Sequence, residues 1–179
     1  FSRIVRLGEG ISSTGRISEA AIERAIAALI VCRDKMRARK AGRLRLIATE
    51  ACRAASNSED FRSRVAAATG IELEVIDRET EAALAVVGCS PLIHPKARGA
   101  ILFDIGGGST ELVRIERDRE GGEPHTRAWM SIPIGVVTLA ERFGGHDVTP
   151  QSYTAMIEEV TANLGAFAAE HGFNLYGMH

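Results

Sequence analysis

Gly99 to Ile115, GAILFDIGGGSTELVRI, is the stretch on which the reading of this chain turns. Ala100, Ile101, Leu102 and Phe103 form an unbroken apolar run between Gly99 and the glycine triplet, the pattern of a strand buried on both faces. Asp104 is the one charge in that strand, at its C-terminal end. Gly106, Gly107 and Gly108 can turn tightly and bring backbone N–H groups close to an anion, because no Cβ intervenes. Ser109 and Thr110 add hydroxyl donors, and Leu112, Val113 and Ile115 return as a second strand with Glu111 near its start. A hairpin tip of bare amides and hydroxyls, flanked by two carboxylates, is equipped to hold a phosphate and its metal ion. An ordinary glycine hairpin or a flexible linker is the competing reading, and a linker does not suit a place between two strongly apolar strands.

Composition bounds what surrounds the loop. With 179 residues, 45% hydrophobic and 25% charged, the chain can bury a core in one domain or two small ones. A formal net charge of -1 provides no basic footprint and argues against duplex nucleic acid as the main partner. Cys32, Cys52 and Cys89 are odd in number and lack the short paired spacing of zinc sites, so they read as reduced core cysteines of a cytoplasmic protein. His94, His125, His146, His171 and His179 are scattered and read as surface or structural residues. No apolar run approaches the length of a membrane span, so no membrane partner is expected. The start at Phe1 and the stop at Gly177-Met178-His179 read as a piece of a longer chain, truncated at both ends.

In chain order, Ile4, Val5 and Leu7 suggest the end of a strand before a glycine loop. Ser18 is a suitable N-cap for a helix carrying Ile22, Ala25, Ile26, Leu29, Cys32 and Met36 at helical spacing, with Gly42 closing it. The basic run from Arg33 to Arg45 reads as a solvated helix end in preference to a polyanion track. Leu44, Leu46 and Ile47 predict a strand running into Ala48-Thr49-Glu50-Ala51-Cys52-Arg53-Ala54-Ala55-Ser56-Asn57, a place where open α/β sheets carry ligand contacts. Ser56 and Asn57 can equally be caps, with Glu59 completing a capping box for a helix on Phe61, Val65 and Ala68 that Gly70 closes. Ile71, Leu73 and Val75 alternate with Glu72 and Glu74 as an edge strand.

Thr80 to Val87 is apolar all round after its first turn, which predicts a buried helix and asks why Glu81 is there. A dipole-stabilised position in the first turn and a general base aimed at a site both answer that, and both stay open at this point. Gly88 to Arg98 reads as a connection, so the expected domains are 1–98 and 99–179. After the loop, a third strand holds Ala128, Trp129, Met130, Ile132 and Ile134. A short helix follows on Val136, Leu139 and Phe143, then a long one from Thr149-Pro150 to about His171, then a strand at Leu175. The order predicts two related α/β halves with mixed sheets and a cleft between them.

RLGEGI, SEAAIERAI, ATEACRAASN, VIDRETEAAL, FDIGGGSTELV and SIPIGVVTLAERF together resemble the exopolyphosphatase and guanosine pentaphosphate phosphohydrolase family, in its order and spacing from Ile4 to Phe143. DIGGGSTEL alone indicates only the wider superfamily of actin, sugar kinases and heat-shock ATPases. The resemblance implies an actin-like (ribonuclease H-like) α/β fold of two domains with an interdomain cleft. It implies Glu81 as catalytic base, Asp104 and Glu111 as Mg²⁺-site carboxylates, and Gly106, Gly107, Gly108 and Ser109 as the phosphate loop. Arg53 and Asn57 match the family's phosphate contacts in the first domain. Two departures stand out, since Thr80 replaces the first of two adjacent acids and Ala83 stands where an arginine is usual.

The implied activity is hydrolysis of terminal phosphate from inorganic polyphosphate, then guanosine pentaphosphate, by metal-assisted attack of water. A homodimer is compatible with that reading. The alternatives are an ATP-dependent kinase of the superfamily and a nucleotide-sensing module without turnover. Phe1 to His179 taken alone is expected to be inactive, because the opposing phosphate loop of the first domain is missing from it.

Overall fold

A computed structural model describes residues 1–145 and 147–171, in two compact units, Phe1–Asp77 and Arg78–His179. The strand expected at Leu175 lies outside the described residues.

The first unit contains α1 (Ile11–Thr14), α2 (Glu19–Ala38), β1 (Ile47–Ala48), α3 (Glu50–Ala54), α4 (Ser58–Thr69) and β2 (Glu74–Val75). The Ser18 hydroxyl accepts from the Ala21 N–H at 3.3 Å and so caps α2, as its sequence position predicts. Ala21, Ile22 and Ala25 turn inward with Phe61 and Val65 of α4, and the two helices pack on each other. Complete burial of Phe61 and Val65 contributes about 1.5–3 kcal/mol each. The inward stripe of α4 continues at Thr69 rather than at Ala68, one full turn beyond Val65. The Thr69 hydroxyl returns to the Val65 carbonyl at 2.6 Å, which lets a polar residue enter the core. Gly70, at φ 71°, closes the helix.

Gly42 does not close α2. The helix ends at Ala38, and Lys40 takes the left-handed conformation (φ 52°), with Lys40 N–H on the Arg37 carbonyl and Ala41 N–H on the Met36 carbonyl. That pair of bonds is a Schellman motif with lysine where glycine is usual. Ser56 and Asn57 do not cap α4 through their side chains either. Both reach back to the segment after α1, where Ser56 Oγ donates to the Gly15 carbonyl at 3.0 Å. Residues Ile4 to Leu7 form no strand, although Val5 and Leu7 pack against the core. β1 and β2 pair in parallel over two residues each, Ile47 with Glu74 and Ala48 with Val75. Ile71 and Leu73 are buried while Glu72 and Glu74 are exposed, so the alternation holds where the ladder does not extend.

The second unit opens with α5 (Arg78–Cys89), then a 3-10 turn (Ser90–Leu92). The antiparallel meander β3 (Gly99–Ile105), β4 (Thr110–Glu116) and β5 (His125–Ile132) follows, then α6 (Val136–Arg142) and α7 (Pro150–His171). α5 packs on all three strands and so belongs to the same compact unit as the sheet. Cross-strand register places Ala100, Leu102 and Asp104 on one face with Ile115, Val113 and Glu111. Ala82 and Val86 of α5 cover the apolar part of that face. α5 is not buried all round: Ala83, Leu84 and Val87 are exposed, Val87 at 71%. Nor is β3 buried on both faces. It is the outer strand of the meander, hydrogen-bonded to β4 alone among the described residues, and Phe103 is 57% exposed.

Candidate active site

The face that α5 covers is apolar along most of its length and acidic at one end. Asp104, the next-to-last residue of β3, lies opposite Glu111 of β4, and Glu111 lies opposite Ser131 of β5. Glu81, in the first turn of α5, and Asp104 both act electrostatically on Glu111. The three carboxylates expected to carry the chemistry are therefore brought together in the second unit.

Glu111 is 1% exposed. Its Oε1 accepts two hydrogen bonds of 2.9 Å, from the Ser109 and Ser131 hydroxyls, and its Oε2 accepts none among the described residues. Burial pushes the Glu111 carboxyl above the ordinary carboxylate range; the two serine hydroxyls pull it back, and the charges of Glu81 and Asp104 add to the rise. Asp104 is exposed and Glu81 half-buried. Among the described residues no group of three or more His, Cys, Asp or Glu side chains is arranged to hold a metal ion. The pair of Asp104 and Glu111, opposite each other on neighbouring strands, nevertheless suits Mg²⁺, which is commonly held by one or two carboxylates together with water and substrate phosphate oxygens.

The loop itself differs from a tip of amides and hydroxyls. Both hydroxyls point into the protein, Ser109 to Glu111 and Thr110 to the Ile134 carbonyl at 2.5 Å. What remains outward is backbone. Gly106 N–H donates to the Ser109 carbonyl at 2.9 Å and closes the turn, while the Gly107 and Gly108 N–H groups have no partner among the described residues. None of the three glycines has a positive φ. At Gly106 a Cβ would stand a tight 3.1 Å from the Ser109 carbonyl oxygen, whereas at Gly107 it would meet only Val137 at an ordinary 3.5 Å.

Arg53 and Asn57 belong to the first unit. The Arg53 guanidinium grips Glu50 at 2.9 and 3.2 Å and donates to the Ile76 carbonyl at 2.8 Å, tying α3 to the end of β2. Asn57 is 7% exposed, and both ends of its amide are engaged by one residue: Oδ1 accepts from Ile17 N–H at 2.8 Å and Nδ2 donates to the Ile17 carbonyl at 3.0 Å. Sequence reasoning assigned no role to Ser131 or Gly135. The only available signal was their presence in SIPIG, which starts at the end of the third strand.

A glycine hairpin with a carboxylate on each strand, set on an α/β scaffold, places the protein in the actin-like class. The profile of the Ppx/GppA phosphatase family matches residues 2–172, and the chain belongs to that family. It is 36% identical over 146 residues to exopolyphosphatase 2 of Mycobacterium tuberculosis (strain CDC 1551 / Oshkosh), covering 79% of this chain and 44% of that protein. A solved exopolyphosphatase-like protein superposes with a TM-score of 0.83 at 27% identity, over 93% of this chain and 52% of its own. An exopolyphosphatase from Cytophaga hutchinsonii superposes with a TM-score of 0.78 at 28% identity, over 93% and 53%. The chain thus spans about half the length of the relatives it matches.

Proposed function

We propose that the full-length protein hydrolyses the terminal phosphoanhydride bond of inorganic polyphosphate, with guanosine pentaphosphate as the next substrate. The observation that carries this reading is the meeting, at one end of one sheet, of two unpartnered loop amides with three carboxylates of different burial. The Gly107 and Gly108 N–H groups bind oxygens of the terminal phosphoryl and spread its charge during transfer. Glu81 orients a water molecule and takes its proton as the water oxygen bonds to phosphorus. The bridging P–O bond breaks, releasing inorganic phosphate and a chain one unit shorter. Ser109 and Ser131 hold Glu111 by one oxygen and leave the other unengaged among the described residues. Asp104 and Glu111 would hold Mg²⁺, which when bound offsets charge on the phosphoryl oxygens. Arg53, held by Glu50 within the first unit, keeps the phosphate-binding role that the family resemblance implies.

The absence of a second acid at Thr80 and of an arginine at Ala83 leaves Glu81 to act without those neighbours. Three free cysteines suit a reducing, cytoplasmic location, and no helix among the described residues is long and apolar enough to cross a membrane. Phosphate release from polyphosphate, guanosine pentaphosphate and ATP, measured in parallel on the full-length protein, tests the reading. Release from polyphosphate with Mg²⁺ is expected. Transfer from ATP to an acceptor alone would make the protein a kinase, and tight binding with no release would make it a sensor.

A further inference from the structure

α6 begins by donating hydrogen bonds to the loop. The Gly106 carbonyl accepts from Val136 N–H at 3.0 Å, and the Gly107 carbonyl from Val137 N–H at 2.9 Å and Thr138 N–H at 3.2 Å. These amides belong to the first turn of a helix, where N–H groups have no partner within the helix itself. In a trans peptide the carbonyl of one residue and the N–H of the next point in opposite directions, and the described residues have no cis bonds. Anchoring the Gly106 and Gly107 carbonyls on α6 therefore turns the N–H groups of Gly107 and Gly108 to the side facing away from α6. The same bonds polarise both peptide groups, which strengthens their N–H groups as donors.

This contact is possible only because residue 135 has no side chain. Gly135 is extended (φ -127°), a conformation open to any residue, so no turn requires glycine there. A Cβ at that position would stand 2.6 Å from the Gly106 carbonyl oxygen and closer still to Gly107. Thr138 holds the approach in place, accepting from Gly135 N–H at 2.8 Å.

We propose that Gly135 is a positioning residue, which seats the first turn of α6 behind the phosphate loop and so aims the Gly107 and Gly108 N–H groups at the terminal phosphoryl. The proposal rests on the loop's being the phosphate site, and the test separates the two. In the full-length protein, Gly135→Ala is expected to lower kcat on polyphosphate by about 10²-fold or more. It should also abolish the shift of the Gly107 and Gly108 amide resonances when inorganic phosphate is added. Thr138→Val, which removes both hydrogen bonds between the hydroxyl and the Gly135 backbone without adding bulk at the contact, is expected to weaken inorganic phosphate binding about 5-fold. Gly165→Ala, on the exposed side of α7 with nothing near its added Cβ, should leave both readouts unchanged. Wild-type phosphate affinity and amide shifts in folded Gly135→Ala, or in Thr138→Val should the alanine variant not fold, overturn the proposal and leave the site intact. If the wild-type Gly107 and Gly108 amides do not respond to phosphate at all, the loop is not the site and the proposal falls with it.

Discussion

Asn57 commits both ends of its side-chain amide to the backbone of Ile17, while the backbone amides of Gly107 and Gly108 donate to nothing among the described residues. Both segments hold residues matched to phosphate contacts, the first just after α3 and the second just after β3. The first closes its polar groups on the protein; the second has its carbonyls held by α6 and its N–H groups left outward. A polar group already satisfied in the core contributes to folding, and a donor held rigid but unsatisfied contributes to binding. Substitutions in the two segments should therefore register in different measurements.

The largest effect belongs to Glu81. Glu81→Gln keeps the hydrogen bonding but removes the base, and turnover should fall by about 10²- to 10⁴-fold, roughly 3–5 kcal/mol of barrier. Phosphate affinity should be retained, and a near-normal kcat would return Glu81 to its role at the start of α5.

Asn57→Ala should destabilise the protein by about 1–3 kcal/mol, because the buried N–H and carbonyl of Ile17 lose their partner. Gly107→Ala should behave the opposite way. Its Cβ meets no close neighbour, so unfolding should change by no more than about 0.5 kcal/mol while phosphate binding weakens in calorimetry. The comparison breaks if Asn57→Ala loses phosphate affinity at unchanged stability.

Glu111 sharpens the comparison through pH. Its folded pKa is raised, mainly by burial, so between the ordinary carboxylate value of 4.5 and the raised value the folded state holds more proton than the unfolded one. Stability is then greatest below that window and declines as pH rises through it. Denaturant titrations across this range should show the decline, and Glu111→Gln should flatten it. An unchanged slope in the variant would assign the decline to other groups.

The smallest effect lies far from either segment. Lys40 holds a left-handed conformation that glycine adopts without steric penalty, so Lys40→Gly should raise stability by about 0.5–1 kcal/mol with kcat unchanged.

Several elements were legible from residue order because their cause is local. Ser18 caps α2 with an N–H three residues ahead, Gly70 ends α4 with its own positive φ, and the alternation from Ile71 to Val75 survives in the burial of Ile71 and Leu73. Two strongly apolar runs around a glycine triplet likewise predicted β3, the loop and β4. Inference failed where burial was assumed from composition. Phe103 and Val87 are apolar yet exposed, because the elements that carry them are covered on one side only among the described residues.

Sequence by itself determined the family, the α/β class, the hairpin and the carboxylates Glu81, Asp104 and Glu111, since residue type and spacing are enough to state which groups exist and in which element. The tertiary structure decided what each group is bonded to. Asn57 finds Ile17 forty residues away, Ser131 finds Glu111 on the neighbouring strand, and the first turn of α6 finds the carbonyls of Gly106 and Gly107. A hydrogen bond requires its partners within about 3 Å at a favourable angle, and for groups so far apart along the chain only the folded packing of other elements sets that distance.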